Sequence, residues 1–406
     1  MPKLPIPGCH REREPAATLA EVKPFLSQVG ITRVADVTGL DYPGIPTVMV
    51  VRPNARSLSV TQGKGLTLEI AKASGVMEAI EHAHAEEPAI PLLLARLGRV
   101  SESVCDVGGL PAFPRAWGAL DAETRLLWTE AEDIPAAKVR LVPFEMVHLD
   151  FTLPLPEGTG HFPISSNGLA SGNSLGEATV HALLELIERD ARTCFFLRPQ
   201  AAWQERRLAL ETVDDDACAT LIERLRCAGL SVAAWDMTTD IDIASVLVGV
   251  LEREDNAFRR VPLAYGSGTS SDRRLALLRA LTEAAQIRLT NIVGARDDTL
   301  PEHLETTKTI ERQAEHRCLL REQPATGRSF QSVPHRVFDS FEAELIYACE
   351  RLQGCGMSQV LRVNLSRQGW PVSVVRMIVP GLEAHIDMPD YRPGNRALRI
   401  LQGEAW

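Results

Sequence analysis

The chain has no C-x-x-C pair, no long apolar run, no basic excess and no low-complexity stretch. Each absence narrows the function classes. The eight cysteines, Cys9, Cys105, Cys194, Cys218, Cys227, Cys318, Cys349 and Cys355, stand singly, and that spacing disfavours a thiolate zinc site. The opening Met1-Pro2-Lys3-Leu4-Pro5-Ile6-Pro7 has no apolar signal core. No segment approaches the ~20 apolar residues of a membrane span, so a cytoplasmic protein with reduced thiols is expected. A net charge of −10 leaves no basic footprint and argues against nucleic acid. Neither H-E-x-x-H nor G-x-S-x-G occurs. His82 and His84, two apart, face different sides of a helix and cannot readily share a metal.

What is present suffices for a large core: 406 residues, 45% hydrophobic and 24% charged. The expected architecture is α+β, one domain over 1–406, with subregions near 1–90, 91–290 and 291–406. The organising stretch is Pro163 to Phe195. A loop of Gly, Ser and Asn runs into an apolar-periodic helix carrying Glu177, His181, Glu185, Glu188 and Arg192 at steps of four, four, three and four. At about 100° per residue these five share one face. The stripe has no Lys, and its three carboxylates repel each other unless cations sit among them. Ser174-x-x-Glu177 also reads as a capping box, which accounts for Glu177 alone.

Two recurrences are visible. A helix, a Gly, a short strand and a Val-rich strand repeat three times, through Gly30–Arg52, Gly229–Leu251 and Gly356–Val379. The spacing varies, so this is one α+β unit used three times rather than a solenoid; chance resemblance of such units is the alternative. Separately, three Gly-containing loops each enter a helix with aligned polar groups. Gln62-Gly63-Lys64-Gly65 leads to Ser74, Glu78 and Glu81. The central loop leads to the Glu177 stripe. Gly266-Ser267-Gly268-Thr269 leads to Arg279, Glu283 and Gln286, with Arg288 off the stripe. Pro111–Trp128 reads as loop, Lys138–Met146 as strands, and 296–343 as a charged helical excursion on the surface.

Lys64 between two glycines at a loop-to-helix junction is a candidate phosphate contact, since Gly lets backbone N–H groups approach an anion. It is not a P-loop, for Leu58 stands where the motif's first Gly should be and no Ser or Thr follows Lys64; a flexible surface loop is the alternative. Glu78, Glu81, Glu185 and Glu188 supply hard oxygen ligands suited to Mg2+ bridging phosphates. Arg189 and Arg279 can neutralise phosphate oxygens.

The run Ser165-Ser166-Asn167-Gly168-Leu169-Ala170-Ser171-Gly172-Asn173, followed by Glu177-Ala178 and Glu185-Leu186-Ile187-Glu188-Arg189-Asp190, closely resembles the central motif of the YcaO family. Gln62–Gly65 with Ser74-x-x-x-Glu78-Ala79-Ile80-Glu81 resembles its earlier motif, although His82 stands where the family usually has Arg. Arg279 to Arg288 resembles its third motif. Arg11, Pro15 and Thr18 are similar to its N-terminal segment, and Val379–Glu383 to its late one. The resemblance spans nearly the whole chain in order. It implies an ATP- and Mg2+-dependent enzyme that phosphorylates a peptide-backbone amide oxygen, after which a nucleophile displaces phosphate. A neighbouring Cys, Ser or Thr side chain gives an azoline; a sulfur donor gives a thioamide.

By motif, Glu78, Glu81, Glu185 and Glu188 would hold Mg2+ and phosphates, with Glu81, Glu188 and Arg189 nearest the chemistry. Lys64, Ser74, Asn173, Glu177, Arg279 and Glu283 would line the rest of the nucleotide pocket. The chain's Leu401–Trp406 end lacks the Pro-rich tail typical of azoline-forming members, and no leader-binding segment is recognisable. Both features resemble members that work beside a TfuA-type partner. The expectations are therefore a thioamide-forming enzyme acting on a precursor peptide with such a partner, and a homodimer. An azoline cyclodehydratase and a non-catalytic nucleotide- or peptide-binding accessory protein are the alternatives.

Overall fold

The computed structural model describes residues 3–6, 8–111, 120–255, 260–295, 309–321, 327–384, 386 and 391–404. The chain opens with a hairpin, β1 (Leu4–Ile6) and β2 (Cys9–Arg11), then α1 (Pro15–Val22) and a 3-10 stretch Lys23–Val29. β3 (Arg33–Asp36), β4 (Thr47–Val51) and β5 (Val60–Lys64) form an antiparallel sheet that feeds α2 (Leu68–Glu86). β6 (Leu93–Arg96), α3 (Leu97–Val100), β7 (Arg125–Asp133) and β8 (Lys138–Pro143) follow, then β9 (Leu169–Gly172) and α4 (Leu175–Phe196). α5 (Gln200–Trp203) and β10 (Leu208–Ala209) lead to α6 (Asp216–Cys227). A second antiparallel sheet, β11 (Leu230–Asp236), β12 (Ser245–Glu252) and β13 (Ala264–Thr269), runs into α7 (Arg273–Val293). α8 (Ile310–Leu320), β14 (Arg328–Ser329), α9 (Phe341–Gly354), β15 (Leu361–Asn364), β16 (Ser373–Ile378) and α10 (Asn395–Leu401) complete it.

The two recurrences turn out to be parts of one unit: a helical segment, three antiparallel strands and a long helix. α1 with the 3-10 stretch, β3-β4-β5 and α2 form the first. α6, β11-β12-β13 and α7 form the second. The third is split: α9, β15 and β16 come late, whereas its third strand β9 and helix α4 come from mid-chain, with Ser373 opposite Gly172. Its sheet extends through β7 to β6 and β8.

Four of the glycines expected in loops lie in strands instead. Gly63 is within β5, Gly172 ends β9, and Gly266 and Gly268 are within β13. Close packing explains them. A Cβ on Gly63 would sit 2.0 Å from Ala71 O and 2.2 Å from Gly75 N, and one on Gly266 would sit 2.1 Å from Ala280 O. Each long helix lies directly on its strand, and only a missing side chain permits that approach. Lys64 accordingly ends a strand, so the expected backbone cradle around it is not formed.

Side-chain caps start these helices. Thr67 accepts from Ile70 N at 3.2 Å, Ser174 from Glu177 N at 3.2 Å and Asp272 from Arg274 N at 2.9 Å, each satisfying an orphan donor. Only half of the capping box at Ser174 forms, because the Glu177 carboxylate bonds elsewhere.

Two further readings are corrected. The stretch taken as loop up to Trp128 contains the start of β7, with Leu126 and Trp128 fully buried; residues 112–119 lie outside the described residues. In 296–343 the described part is not confined to the surface. Leu320 is fully buried because α8 packs on the β11–β12 sheet, and Phe330 is fully buried in the core it shares with α6 and α7; residues 296–308 and 322–326 lie outside the described residues.

Candidate active site

The three long helices present one face each to a common cavity of about 780 Å3. Its walls take Ser74, Glu78 and Glu81 from α2, Glu177, His181, Glu185, Glu188, Arg189 and Arg192 from α4, and Arg279, Glu283 and Gln286 from α7. Lys64 and Asn173 also line it. Every site residue expected from the sequence is thus brought to one place, at the helical spacings that defined the three stripes. Arg288 is elsewhere, as its off-stripe position requires: it is fully buried and paired with Asp41 at 2.9 Å and Glu252 at 2.8 Å.

The carboxylates are held in a cycle. Each unit's helix presents a Glu that a strand of another unit fixes. Glu81 of α2 accepts from Ser171 N at 2.9 Å and Ser171 Oγ at 3.1 Å, on β9. Glu188 of α4 accepts from Ser267 Oγ at 2.9 Å and Thr269 N at 3.0 Å, on β13. Glu283 of α7 accepts from Lys64 Nζ at 2.8 Å, at the end of β5. Glu283 also accepts from Ser267 N at 3.2 Å and Ser267 Oγ at 3.1 Å, so one hydroxyl proton serves two carboxylates. Lys64 further donates to Gln286 Oε1 at 3.1 Å. Arg189 lies 3.4 Å from Glu185 and 3.5 Å from Glu188.

Electrostatics divides the cavity. Burial, with Glu78 and Glu185 nearby, pushes the Glu81 carboxyl well above its ordinary range, and burial raises Glu185 too. Burial also pushes Glu283 upward, but Lys64 and Arg189 outweigh it and hold this carboxyl down to about 2. Burial, then Arg279, Arg11 and Lys64, lowers His181 well below the usual imidazole value. Its ring is therefore neutral, and Nδ1 accepts from Arg279 at 3.1 Å.

This arrangement fits a divalent cation and phosphates. Glu78, Glu81 and Glu185 form the repulsive corner that a cation relieves. Among the described residues no three His, Cys, Asp or Glu groups are gathered closely enough to hold a metal unaided. Mg2+ commonly takes one or two carboxylates and completes its shell with water and phosphate oxygens. Lys64, Arg189 and Arg279 offer cationic charge for the remaining phosphate oxygens.

Glu177 has a more structural setting than its motif suggests. It accepts from Glu12 N at 2.9 Å and from Asn173 Nδ2 at 3.1 Å, and meets Arg11 at 3.4 Å. Thr18 Oγ1 donates to Asn173 Oδ1 at 2.8 Å. Glu177 and Asn173 thereby tie the N-terminal segment across the cavity mouth, where Cys9, His10 and Arg11 join the lining. Glu383, in the late motif, lies outside the cavity lining. It anchors α10 by accepting from Ala397 N at 2.8 Å and Gly394 N at 2.9 Å.

Sequence reasoning missed Ser267, Ser171 and Arg376 as site-shaping residues. Arg376 is 1% exposed and donates to the carbonyls of Asn167 at 2.6 Å and Ser165, fixing the central loop. Burial lowers it to about 10. An Arg within Val374-Val375-Arg376-Met377-Ile378, an otherwise apolar strand, is the signal that pointed to it.

The comparisons agree with this geometry. Residues 62–383 match the family described as YcaO cyclodehydratase, ATP- and Mg2+-binding. The chain is 35% identical over 397 residues to a Rhizobium leguminosarum bv. trifolii protein described as uncharacterized, in the tfuA 3' region, covering 96% of this chain and 92% of that one. It is 34% identical over 388 residues to an uncharacterized Methanothermobacter thermautotrophicus protein, covering 94% of this chain and 97% of that one. The fold is shared with YcaO from Methanopyrus kandleri bound with AMPPCP and Mg2+, at TM-score 0.72 and 22% identity, covering 97% of this chain and all of that one. It is shared also with a heterocyclase in complex with substrate and cofactor, at TM-score 0.79 and 22% identity; this match covers 94% of this chain and 53% of that one. Fold and cleft define an α+β class whose cofactors are ATP and Mg2+. The chain belongs to the YcaO family. No helix among the described residues is long and apolar enough to cross a membrane.

Proposed function

We propose that the protein activates a backbone amide of a ribosomally made peptide or protein by ATP-dependent O-phosphorylation, leading to a thioamide, beside a TfuA-type partner. The observation that carries the chemistry is the convergence of Glu78, Glu81, Glu185 and Glu188 with Lys64, Arg189 and Arg279 in one cavity. The preference for the thioamide product rests on the relative in the tfuA 3' region, which matches 96% of this chain.

Bound MgATP supplies the phosphoryl group that turns a poor leaving oxygen into a good one. The chain's part is positioning and charge. Glu78, Glu81, Glu185 and Glu188 would hold the cation. Arg189, already oriented by Glu185 and Glu188, would face the phosphate oxygens. Lys64 is poised between Glu283 and Gln286, where a phosphate would compete for its ammonium. Ser74, Asn173, Glu177 and Arg279 shape the nucleotide's seat. Ser171 and Ser267 keep the carboxylates from rotating away.

The test is reconstitution with a candidate precursor peptide, a TfuA-type protein, sulfide, ATP and Mg2+, read by peptide mass. Exchange of oxygen for sulfur supports the reading. Loss of water instead makes the enzyme an azoline-forming cyclodehydratase. Nucleotide binding without peptide-dependent phosphate release assigns the accessory role.

A further inference from the structure

His181 stands in the middle of the α4 stripe, about one turn from Glu177 and one turn from Glu185, and lines the cavity. Neither the cation corner nor the carboxylate cycle uses it. Its side-chain hydrogen bond is at Nδ1, 3.1 Å from Arg279 Nη1. A guanidinium only donates, so Nδ1 must present its lone pair. An imidazolium carries hydrogen on both nitrogens and cannot make this contact. The ring is therefore the neutral Nε2–H tautomer, and Arg279 fixes it. That Nε2–H has no acceptor among the described residues, and it is open to the cavity rather than sealed away from it.

Arg279 supplies the second observation. Arg11, Lys64 and Arg189 each meet a carboxylate across the cavity: Arg11 meets Glu177 at 3.4 Å, Lys64 meets Glu283 at 2.8 Å, and Arg189 meets Glu185 at 3.4 Å and Glu188 at 3.5 Å. Arg279 meets no carboxylate among the described residues; its side-chain partner is the neutral His181. Residue type explains the pairing. A carboxylate at position 181 would orient Arg279 but quench its charge, and Lys or Arg there would repel it. A neutral imidazole orients the guanidinium, leaves its full charge to the cavity and adds a donor of its own. Burial, then Arg279, Arg11 and Lys64, act together on His181, so this end of the cavity is positive within a chain of net charge −10.

We propose that Arg279 and His181 form one phosphate subsite, in which His181 Nε2–H donates to a phosphate oxygen of the nucleotide and Arg279 supplies the charge. The inference rests on the nucleotide part of the function proposed above and adds His181 to it. An uncompensated guanidinium beside an open N–H donor calls for an anionic acceptor. A peptide carbonyl accepts a hydrogen bond but brings no charge to offset Arg279. The position also suits a polyphosphate. His181 is one turn from Glu185, and Arg279 is one turn from Glu283, which holds Lys64. The pair thus adjoins both the cation corner and the Lys64 ammonium, the groups that a metal-bridged polyphosphate also meets. Because the ring is neutral, it binds the phosphate without repelling Arg279.

The experiment joins spectroscopy to binding. Imidazole 15N–1H correlation spectra of the nucleotide-free protein at neutral pH, assigned with H181F, should show His181 as the Nε2–H tautomer. Adding a non-hydrolysable ATP analogue with Mg2+ should move the Nε2–H proton downfield and slow its exchange with water, with the tautomer unchanged. Affinity for that analogue should fall about tenfold to hundredfold in H181F, the usual worth of a hydrogen bond to a charged group. H181Q, whose amide can accept from Arg279 and donate to phosphate, should stay within about threefold of wild type. Adenosine, which has no phosphate, should bind H181F and wild type alike. An Nδ1–H or doubly protonated His181 in the nucleotide-free protein overturns the assignment. So does an Nε2–H signal that ignores the nucleotide, an H181Q loss as large as that of H181F, or a loss for adenosine that matches the loss for the analogue. A wild type that binds no analogue sinks the function reading and the subsite together. A wild type that binds as described yet never releases phosphate in response to a peptide sinks the function reading and leaves the subsite standing. Wild-type affinity in H181F sinks the subsite alone.

Discussion

Glu81→Gln should make the nucleotide-free protein more stable while it disables the enzyme. Glu81 is buried beside Glu78 and Glu185, and its carboxyl is pushed well above the ordinary range first by burial and then by those neighbours. Folding at neutral pH therefore works against this charge. Gln has the same shape and keeps an oxygen for Ser171 N, while Ser171 Oγ retains Met77 O at 3.2 Å. Each unit of pKa displacement corresponds to about 1.4 kcal/mol. Allowing for imperfect repacking, the gain is roughly 1–2 kcal/mol, or about 1–3 °C in a chain this long. The sign also fixes a pH dependence. A carboxylate with a raised folded pKa destabilises only where it is ionised. The two proteins should melt alike in acid, where Glu81 is protonated and neutral like Gln. The wild type should fall behind as pH rises from the ordinary carboxylate range toward the raised folded value. MgATP reverses the order, because ligand at about 100 times its Kd adds about 2.7 kcal/mol to a competent site, and the variant should lose most of that. Turnover should fall about 100-fold or more. The assay is thermal melting across pH, with and without Mg2+ and an ATP analogue, alongside phosphate release. A variant that melts below wild type at neutral pH with no pH dependence would refute the electrostatic argument. Wild-type turnover would remove Glu81 from the site.

Glu188→Gln should keep the fold within about 1 kcal/mol. Its amide can accept from Thr269 N and donate to Ser267 Oγ, which still donates to Glu283. Mg2+-dependent ATP turnover should nonetheless drop about 100-fold, and full turnover with an unchanged magnesium requirement would leave Glu188 structural. Glu283→Gln should cost roughly 1–3 kcal/mol at neutral pH. Its folded pKa of about 2 lies below the ordinary 4.5, so its stabilisation is present above that value and disappears as pH falls toward 2; melting curves that differ equally at all pH values would contradict this. Gly63→Ala should destabilise by more than about 3 kcal/mol or prevent soluble expression, because the new Cβ meets the backbone of α2 at 2.0 and 2.2 Å; near-wild-type melting would show that α2 can lift from β5.

Much of the site was legible because helical periodicity is local. Glu177, His181, Glu185, Glu188 and Arg192 share a face by spacing alone, and so do Ser74, Glu78 and Glu81. Nothing in that arithmetic says which strand each carboxylate meets. Ser171, Ser267 and Lys64 fix Glu81, Glu188 and Glu283 across unit boundaries, and pairs separated by 90, 79 and 219 positions have no signature in a single sequence. The glycines misled in the opposite direction. Gly63 and Gly266 read as loop residues because turns are where Gly is commonest, whereas here it is a helix backbone that leaves no room for Cβ.

By itself the sequence determined the three amphipathic helices, the three Val-rich strand pairs and the family motifs, since each depends on residues within one or two turns of each other. Tertiary structure alone decided that the third unit is assembled from two distant pieces. It also decided that the three helices share one cavity, and that Glu81 is pushed up while Glu283 is held down. Those outcomes depend on which buried charges and donors become neighbours, and burial and proximity are properties of the folded chain.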